Sequence, residues 1–271
     1  QGLSRSPAGP AEIELGRESS PFRQLDRQEM VRLDQLLVER GHCRSLSEAA
    51  ALVMSGKVLI GDNVVDKAGA LVPSNAALRL KDIHPFVSRG GIKLRGGLDH
   101  YSIDPQGWIC VDIGASTGGF TDCLLQAGAA RVYAVDVAYD ILDWKIRSDS
   151  RVVVLERCNA RHLGKEHIKE AVDFCVFDTS FISLTTVLPP VLPLFGTNKI
   201  RILCLVKPQF EVDRSSIGSG GIVGDESLRI SAVEKIVNFS CDLGLMPRGF
   251  VESPIKGAKG NQEYLLYLTS A

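Results

Sequence analysis

The sequence lacks the features that would direct a chain to a membrane or to an oxidising compartment. None of its apolar runs reaches the about 18 residues that a membrane-spanning helix needs. Its first residues are polar, with Pro and Ser, and do not resemble a signal peptide. The seven cysteines are scattered, mostly within apolar runs, and include no C-x-x-C pair. These absences predict a cytoplasmic protein with buried free thiols, no stable membrane insertion and no metal site.

The sequence also lacks an excess of charge of either sign. The formal net charge is −1 over 271 residues, so nothing in the global balance indicates a nucleic-acid partner, and any basic surface must be local. A hydrophobic content of 45% and a charged content of 23% are ordinary for a globular chain. The length allows one or two domains.

One glycine-rich stretch lacks the signatures of two common phosphate-binding loops. The residues 109–120 form an apolar run with β-branched residues, followed by small residues and a predicted helix. No Gly-Lys-Ser/Thr and no G-x-G-x-x-G occurs there; the pattern is Asp-x-Gly-x-x-x-Gly-Gly-Phe, from Asp112 to Phe120. A strand, a glycine turn and a helix form a nucleotide site at the carboxyl end of a sheet. The pattern resembles the first motif of S-adenosylmethionine-dependent methyltransferases.

A second element supports a nucleoside site. The next apolar run ends at Asp136, and an acid at this point of a doubly wound sheet can accept both ribose hydroxyls. The alternative is an ordinary doubly wound domain with a glycine turn.

Strand and helix patterns alternate over the second part of the chain, which predicts a parallel doubly wound α/β sheet. The predicted strands are 108–113, 132–137, 152–155, 174–177, 200–206, 249–251 and 264–268. The predicted helices between them are 120–127, 141–147, 165–171, 184–194 and 227–243. The last two strands are joined by a loop without a helix and should pair antiparallel. A seven-stranded sheet that ends in an antiparallel hairpin is the arrangement of class I methyltransferases.

The first part of the chain reads as a small α+β module. We expect 1–29 to be disordered, or to be left from cloning with Met30 as the natural start. Two helices follow, with apolar residues at 33–38 and 48–54 and with Ser45 or Ser47 as a cap. Short strands follow at 58–60, 64–65 and 77–80. We expect this module to span 30–83, a linker to span 84–91, and the methyltransferase domain to span 92–271, with a first helix over 92–101.

Motifs in this module resemble the S4 RNA-binding domain. They are Arg32-Leu33-Asp34, Arg44-Ser45, Ala49-Ala50 and Gly56-Lys57-Val58. The resemblance implies that four basic residues contact RNA phosphates, namely Arg32, Arg40, Arg44 and Lys57. A solvated helical face is the alternative, because the charge of the module is nearly balanced.

Polar residues follow three consecutive strands of the predicted sheet, at Asn159, Asp178 and Lys207. In a parallel sheet these loops open onto one crevice, where an amide at Asn159 could bind an adenine edge. A hydroxyl acceptor of a methyl group must lose its proton, and a lysine beside a second cation can act as the base. Lys207 and Lys93 would supply the two ammonium groups. A carboxylate near the last strand, Glu263 or its rival Glu252, would help Asp178 to orient them.

The set Lys93, Asp178, Lys207 and Glu263 resembles the catalytic tetrad of RrmJ/FtsJ-type 2′-O-methyltransferases. From Met30 onward the chain resembles the TlyA family, which joins an S4 domain to such a methyltransferase. The shared strings are 87–94, 112–120, 133–136, 177–184, 206–211 and 260–264. The resemblance implies S-adenosylmethionine as cofactor and 2′-O-methylation of cytidine in small- or large-subunit ribosomal RNA.

The expected site residues fall into two groups besides the tetrad. The expected cofactor contacts are Asp112, Gly114, Ser116, Gly118, Gly119, Phe120, Asp136, Val137, Asn159 and Asp178. In the second domain, Arg89 would add positive charge at the mouth of the site, and Phe181 would either stack on the target base or belong to the core. Glycine and serine in 214–226 predict a flexible lid.

Two other functions compete with RNA methylation. The family is often labelled haemolysin, so a membrane-lysing toxin is one alternative, although the chain has no spanning segment and no strongly amphipathic cationic helix. The other is a ribosome-assembly factor that binds RNA through a degenerate methyltransferase domain. The intact glycine turn and tetrad favour the enzyme, and the sequence does not indicate an oligomeric state.

Overall fold

The computed structural model describes residues 29–43, 45–80 and 85–270, and the chain divides into two compact units, 1–83 and 84–271. The predicted disordered segment, apart from Glu29, lies outside the described residues, as do Arg44 and all of 81–84 at the predicted domain junction. The boundaries that we predict for the two domains and the linker therefore stay predictions.

The first unit packs two helices against short antiparallel strands. Its elements are β1 (Met30–Arg32), α1 (Leu33–Glu39), α2 (Leu46–Met54), β2 (Val58–Ile60), β3 (Asn63–Val65), β4 (Leu71–Pro73) and β5 (Leu78–Leu80). The strands form a β1-β4 pair and a β3-β2-β5 sheet. Ser45 caps α2 by accepting a hydrogen bond from the backbone N–H of Glu48 at 3.2 Å. Both predicted helices are present, but β1 and β4 were not predicted, because three residues are too few to show alternation.

The second unit is a seven-stranded sheet with helices on both faces. Its elements are α3 (Gly90–His100), β6 (Ile109–Ile113), α4 (Gly119–Gln126), β7 (Arg131–Val135), α5 (Trp144–Arg147), β8 (Val152–Leu155), β9 (Phe174–Phe177), α6 (Leu184–Val191), β10 (Arg201–Val206), α7 (Glu226–Asp242), β11 (Leu245–Glu252) and β12 (Tyr264–Ser270). The strand order is β11-β12-β10-β9-β6-β7-β8. The five strands from β10 to β8 are parallel, whereas β12 is antiparallel to β10 and β11. The predicted α/β class and the antiparallel end of the sheet are confirmed.

Alternation along each strand explains how this sheet is buried on both sides. In β10, Ile202 and Cys204 belong to one apolar cluster, and Leu203 and Leu205 belong to the other. Since successive side chains of a strand point to opposite faces, one cluster lies on each face of the sheet. The first cluster includes residues of α6 and α7, and the second includes residues of α3 and α4. An apolar residue at every position is what a strand covered on both faces requires.

Several predicted boundaries differ from the structure, and three helices illustrate why. The predicted helix over 165–171 is wrong: the segment makes one turn, because Glu170 reaches Tyr133 and Arg131 and Val172 is drawn into the core. The helix predicted over 141–147 shrinks to α5, because the side chain of Asp143 caps it by accepting from the N–H of Lys145. Helix α3 begins at Gly90, inside the predicted linker. Among the described residues, no helix combines the length and the apolar character needed to cross a membrane.

Candidate active site

The glycine turn after β6 brings the backbone close to the neighbouring strand. Gly114 has φ +85°, and a Cβ there would lie 2.7 Å from the carbonyl oxygen of Asp178. The N–H groups of Gly114 and Ala115 both donate to the carbonyl of Val135, which ties this turn to the end of β7. A side chain at position 114 would force apart the ends of β6 and β9, so the turn depends on glycine here.

A cavity of about 650 Å³ opens at the carboxyl ends of β6, β7 and β9. Of the predicted cofactor contacts, six line it, namely Gly114, Ser116, Asp136, Val137, Asn159 and Asp178. The cavity is of the size that small-molecule sites usually have.

The carboxylate of Asp136 is held in place by backbone groups. One oxygen accepts from the N–H of Ser116 and the other from the N–H of Ala138, both at 2.8 Å. Across the cavity, the side-chain oxygen of Asn159 accepts from the N–H of Arg161 at 3.1 Å. Carboxylate oxygens accept more than one hydrogen bond each, and the Asn159 amide keeps its two donors, so both groups can still bind a ligand.

The other predicted cofactor contacts do not line this cavity. Asp112 is fully buried, and the hydroxyl of Thr121 donates to its Oδ2 at 2.7 Å. Its Oδ1 has no hydrogen-bond partner within the described part of the chain. Burial raises the pKa of Asp112 to about 7. The hydrogen bond from Thr121 lowers this pKa, and the negative charge of Asp178 raises it further. Asp112 therefore lies behind the glycine turn, a position that the Asp-x-Gly spacing does not reveal.

A second cavity, of about 410 Å³, adjoins the first. Gly119 and Phe120 line it, together with Arg89 and Lys93, although the Phe120 ring is otherwise part of the core. Gly118, with φ +97°, caps α4 and lines neither cavity. The two cavities share Gly114, Ser116 and Asp178. One can therefore hold a nucleoside ligand while the other admits a second reactant next to it.

The four residues of the predicted tetrad form two ion pairs, and Lys93 and Asp178 of these pairs line the cavities. Lys93 Nζ lies 2.6 Å from Glu263 Oε2, although the two residues are 170 positions apart in the chain. Lys207 Nζ lies 2.7 Å from Asp178 Oδ1 and donates a hydrogen bond to Ser180 Oγ at 2.9 Å. Lys93, Lys207 and Glu263 are buried. Charges removed from water are stable only when they are paired, and here each has an opposite charge at contact distance.

The two candidate carboxylates of the predicted tetrad lie in different surroundings. Glu263 is buried against Lys93, whereas Glu252 is exposed at the end of β11. Glu252 lies opposite Tyr264 in the ladder between β11 and β12. Glu263, one residue before Tyr264, points to the other face of the sheet. Of the two candidate carboxylates, Glu263 is therefore the one that contacts Lys93.

Phe181 stands at the mouth of the first cavity and is 91% exposed. The alternative core role is therefore wrong. Its φ of +65° is unusual for a residue with a side chain, and its ring lies 5.1 Å from that of Phe210. Such a conformation costs about 1–3 kcal/mol and persists only where the surroundings hold it.

The predicted RNA-contacting residues of the first unit differ in how many contacts they make within the protein. The Arg32 guanidinium grips the Asp34 carboxylate with two hydrogen bonds, at 3.0 and 2.6 Å. Arg40 donates to the carbonyls of Ser74 and Ala76, both at 2.6 Å. Lys57 is exposed and makes no ion pair within the described ranges. Lys57 is thus the most available of the three for a phosphate.

Two further residues support the site, although the sequence contains little indication of either. Ser180 holds Lys207, as described. Asp122, on α4, accepts from the backbone N–H of Val87 at 2.9 Å and pairs with Lys145 at 3.2 Å. It anchors the segment that leads into α3 and hence Lys93. From the sequence, a carboxylate in the first turn of a helix is interpreted as a partner of the helix dipole. The contact of Asp122 with the Val87 backbone therefore cannot be predicted from the sequence.

Comparison with known proteins agrees with this geometry. Residues 86–270 match the FtsJ-like methyltransferase family, and residues 31–78 match the S4 domain. Over 239 residues the chain is 45% identical to the 16S/23S rRNA (cytidine-2′-O)-methyltransferase TlyA of Mycobacterium tuberculosis, covering 88% of this chain and 89% of that protein. It is 38% identical over 239 residues to Hemolysin A of Brachyspira hyodysenteriae, covering 88% and 99%. A solved structure from Streptococcus thermophilus, also assigned a hemolysin name, has 38% identity, a TM-score of 0.68 and coverage of 90% of both chains.

Proposed function

We propose that this chain, which belongs to the TlyA family of S4- and FtsJ-domain proteins, methylates the ribose 2′-hydroxyl of cytidine in ribosomal RNA of one or both subunits. The observation that carries the proposal is the pair of buried lysine–carboxylate contacts beside two joined cavities. One cavity provides a place for a nucleoside cofactor and the other a place for an acceptor. The reaction needs both, side by side.

The residues of the first cavity fit S-adenosylmethionine, the cofactor of this methyltransferase family. Asp136 presents a fixed carboxylate for ribose hydroxyls, and the free amide donors of Asn159 suit the edge of an adenine. Gly114 allows the ligand to lie against the backbone. When bound, S-adenosylmethionine supplies a methyl group on a positively charged sulfur, which a nucleophilic oxygen can attack.

The tetrad residues prepare the acceptor oxygen. We assign the removal of its proton to Lys207 in its neutral amine form, whose nitrogen lone pair accepts the proton, because Asp178 and Ser180 hold Nζ in one place. Lys93, fixed by Glu263, lines the second cavity together with Arg89. These two cations favour a phosphate of the RNA backbone next to the target ribose. The tetrad thus positions the hydroxyl and accepts its proton.

The S4 unit and two residues of the methyltransferase unit complete the proposed RNA contacts. Lys57 and Arg89 are exposed, and neither forms an ion pair within the described part of the chain. Phe181 is free to stack on a base at the mouth of the first cavity. Because the proposed substrate is ribosomal RNA, we also propose that the protein acts in the cytoplasm.

Replacing Lys207 by methionine tests the proposal. We expect methyl transfer to ribosomal RNA to fall at least about 100-fold, because the proton acceptor is removed. We expect the affinity for S-adenosylmethionine to change less than about threefold, because Lys207 lines neither cavity. Transfer of a tritiated methyl group to deproteinised 16S and 23S RNA measures the first, and titration calorimetry measures the second. Lys199→Met, at an exposed lysine before β10, is the control.

Two results would contradict the proposal at different levels. Full activity in Lys207→Met would remove the base assignment and leave the function intact. No 2′-O-methyl transfer by the unaltered protein to either RNA would remove the function. Dye release from liposomes by the purified protein, equal in Lys207→Met and without S-adenosylmethionine, would favour a membrane-acting toxin instead.

A further inference from the structure

One buried carboxylate outside both cavities ties together the two loops that carry the Asp178–Lys207 pair. Glu211 lies four residues after Lys207 and is buried, yet it lines neither cavity. Its Oε2 accepts from the hydroxyl of Ser183 at 2.5 Å, and its Oε1 accepts from the backbone N–H of Leu184 at 2.8 Å. Ser183 and Leu184 begin α6 and end the loop that starts at Asp178. Glu211 therefore joins the loop of Lys207 to the loop of Asp178.

The two loops are cross-tied at both ends. At the first end, Lys207 Nζ contacts Asp178 and Ser180. At the second end, Glu211 binds the start of α6. Between them the chain from 207 to 211 is a tight turn, in which the N–H of Phe210 donates to the carbonyl of Lys207 at 2.9 Å. The contacts form a closed ring, so a displacement at the Glu211 end is transmitted to the ion pair.

Glu211 is itself held from a third element. Lys235, on α7, donates to its backbone carbonyl at 2.8 Å and lies 3.5 Å from its Oε2. Burial raises the pKa of Glu211, whereas the hydrogen bonds from Ser183 and Leu184 and the charge of Lys235 oppose that rise. The helix N-terminus also favours a negative charge at this point. Hydrogen bonds and a nearby lysine thus hold the carboxylate in place, although it lines neither cavity.

We propose that Glu211 is a positioning residue for methyl transfer, which fixes the geometry of the Asp178–Lys207 pair by clamping the loop 178–183. The inference rests on the proposed function for its kinetic part only. The clamp also accounts for Phe181, which keeps its positive φ two residues before Ser183 because both sides of that loop are held. Small displacements of a catalytic group can lower the rate by about 100-fold, so a residue without reactant contact can govern the rate.

Glu211→Gln is the first test. The glutamine side chain has nearly the same volume and keeps one acceptor oxygen. In place of Oε2, which accepts from the Ser183 hydroxyl and lies near Lys235, it has an NH₂ group, which is a donor. We expect kcat to fall about 10- to 100-fold, while KM for RNA and the affinity for S-adenosylmethionine change less than threefold. The matched control is Glu170→Gln, which removes a carboxylate that binds Arg131 and Tyr133. We expect it to lower Tm without lowering kcat.

Ser183 provides a second test that does not change a charge. Ser183→Ala removes the hydroxyl that donates to Glu211, and we expect kcat to fall by about 3- to 10-fold. Ser183→Thr keeps the hydroxyl, and we expect it to retain kcat. This pair remains informative if Glu211→Gln does not fold. Equal kcat in the alanine and threonine variants, or a kcat within twofold of the parent in folded Glu211→Gln, would overturn the proposal.

Hydrogen exchange separates this inference from the proposed function. In Glu211→Gln we expect faster amide exchange in both 178–183 and 207–211, and no change at β8, on the far edge of the sheet. This readout needs no RNA and no turnover. If the unaltered protein transferred no methyl group, the proposed function would fail while faster exchange would still support the clamp. Unchanged exchange in both loops would overturn the clamp whatever the activity.

Discussion

At the scale of single residues, Asp112 links the folding of the chain to pH. It is fully buried beside Thr121, and its pKa is raised to about 7, whereas its ordinary value is 3.8. Between these values the folded state binds a proton that the unfolded chain has released. The proton stabilises the folded state at low pH, and this contribution is lost as the pH rises through about 7.

Asp112→Asn tests this coupling. The amide cannot ionise, and its oxygen can still accept the hydrogen bond from Thr121. From pH 5 to pH 8, we expect the free energy of unfolding of the parent to fall by roughly 3 kcal/mol more than that of Asp112→Asn. Urea denaturation of the cofactor-free protein at the two pH values measures both. Parallel pH dependence of the two proteins would show that Asp112 does not titrate in this range.

At the scale of elements, the start of α4 lies directly against the start of α3. A Cβ at Gly119 would lie 2.1 Å from Ser88 Oγ and 3.0 Å from the backbone nitrogen of Gly91. The Ser88 hydroxyl can rotate away, but the nitrogen belongs to the backbone of α3, so a Cβ at this distance requires α3 to shift. Because α3 carries Lys93, this contact also sets the place of the Lys93–Glu263 pair.

Gly119→Ala tests the importance of that close approach. We expect the free energy of unfolding to fall by about 1–3 kcal/mol, because the two helices must separate. We also expect methyl transfer to fall, because Lys93 moves with α3. Urea denaturation and the methyl-transfer assay measure the two effects.

Gly224→Ala is the matched control for this prediction. A Cβ at Gly224 meets open space, and this glycine does not have a positive φ. We expect its free energy of unfolding to stay within about 0.5 kcal/mol of the parent. Equal stability of the two variants would show that α3 and α4 can accommodate a methyl group at position 119.

At the scale of the whole molecule, each of the two units has a hydrophobic core of its own. Leu37 lies at the centre of the first, and it packs with Leu33 and Val53. The second unit contains two further clusters, one on each face of its sheet. A chain with separate cores need not unfold in a single transition.

Leu37→Ala tests whether the units act separately. Truncating a fully buried leucine costs about 2–5 kcal/mol, so we expect faster hydrogen exchange over 30–80. We expect the affinity for S-adenosylmethionine to stay within twofold, and methylation of ribosomal RNA to fall because the S4 unit no longer holds the RNA. Leu46→Ala, at an exposed leucine of α2, is the control. A tenfold loss of S-adenosylmethionine affinity in Leu37→Ala would contradict this separation.

The sequence by itself determined the class of the fold and the turn at its centre. Apolar runs with β-branched residues predict β8 and β9 with the bounds they have in the structure. β9 is buried on both faces, and β8 packs partly buried side chains against both clusters, so each strand needs an apolar residue at every position. The loop between the last two strands predicts their antiparallel pairing. The glycine turn is a local property of Gly114 and its neighbours, so it too can be predicted. Short elements with no such pattern, β1 and β4, could not be predicted.

Only the tertiary structure decided which side chains meet. Glu263 contacts Lys93 and Glu252 does not, because the two carboxylates point to opposite faces of one hairpin, a difference of a single residue in register. Asp112 is predicted to contact the ligand but is a buried acid in the structure, because the turn at Gly114 lies between it and the cavity. The contacts of Glu211 depend on α6 beginning beside the loop that follows β10, and no local sequence pattern indicates this. Contacts between side chains distant in sequence follow from the order of the strands, and that order is set by the packing of the whole sheet.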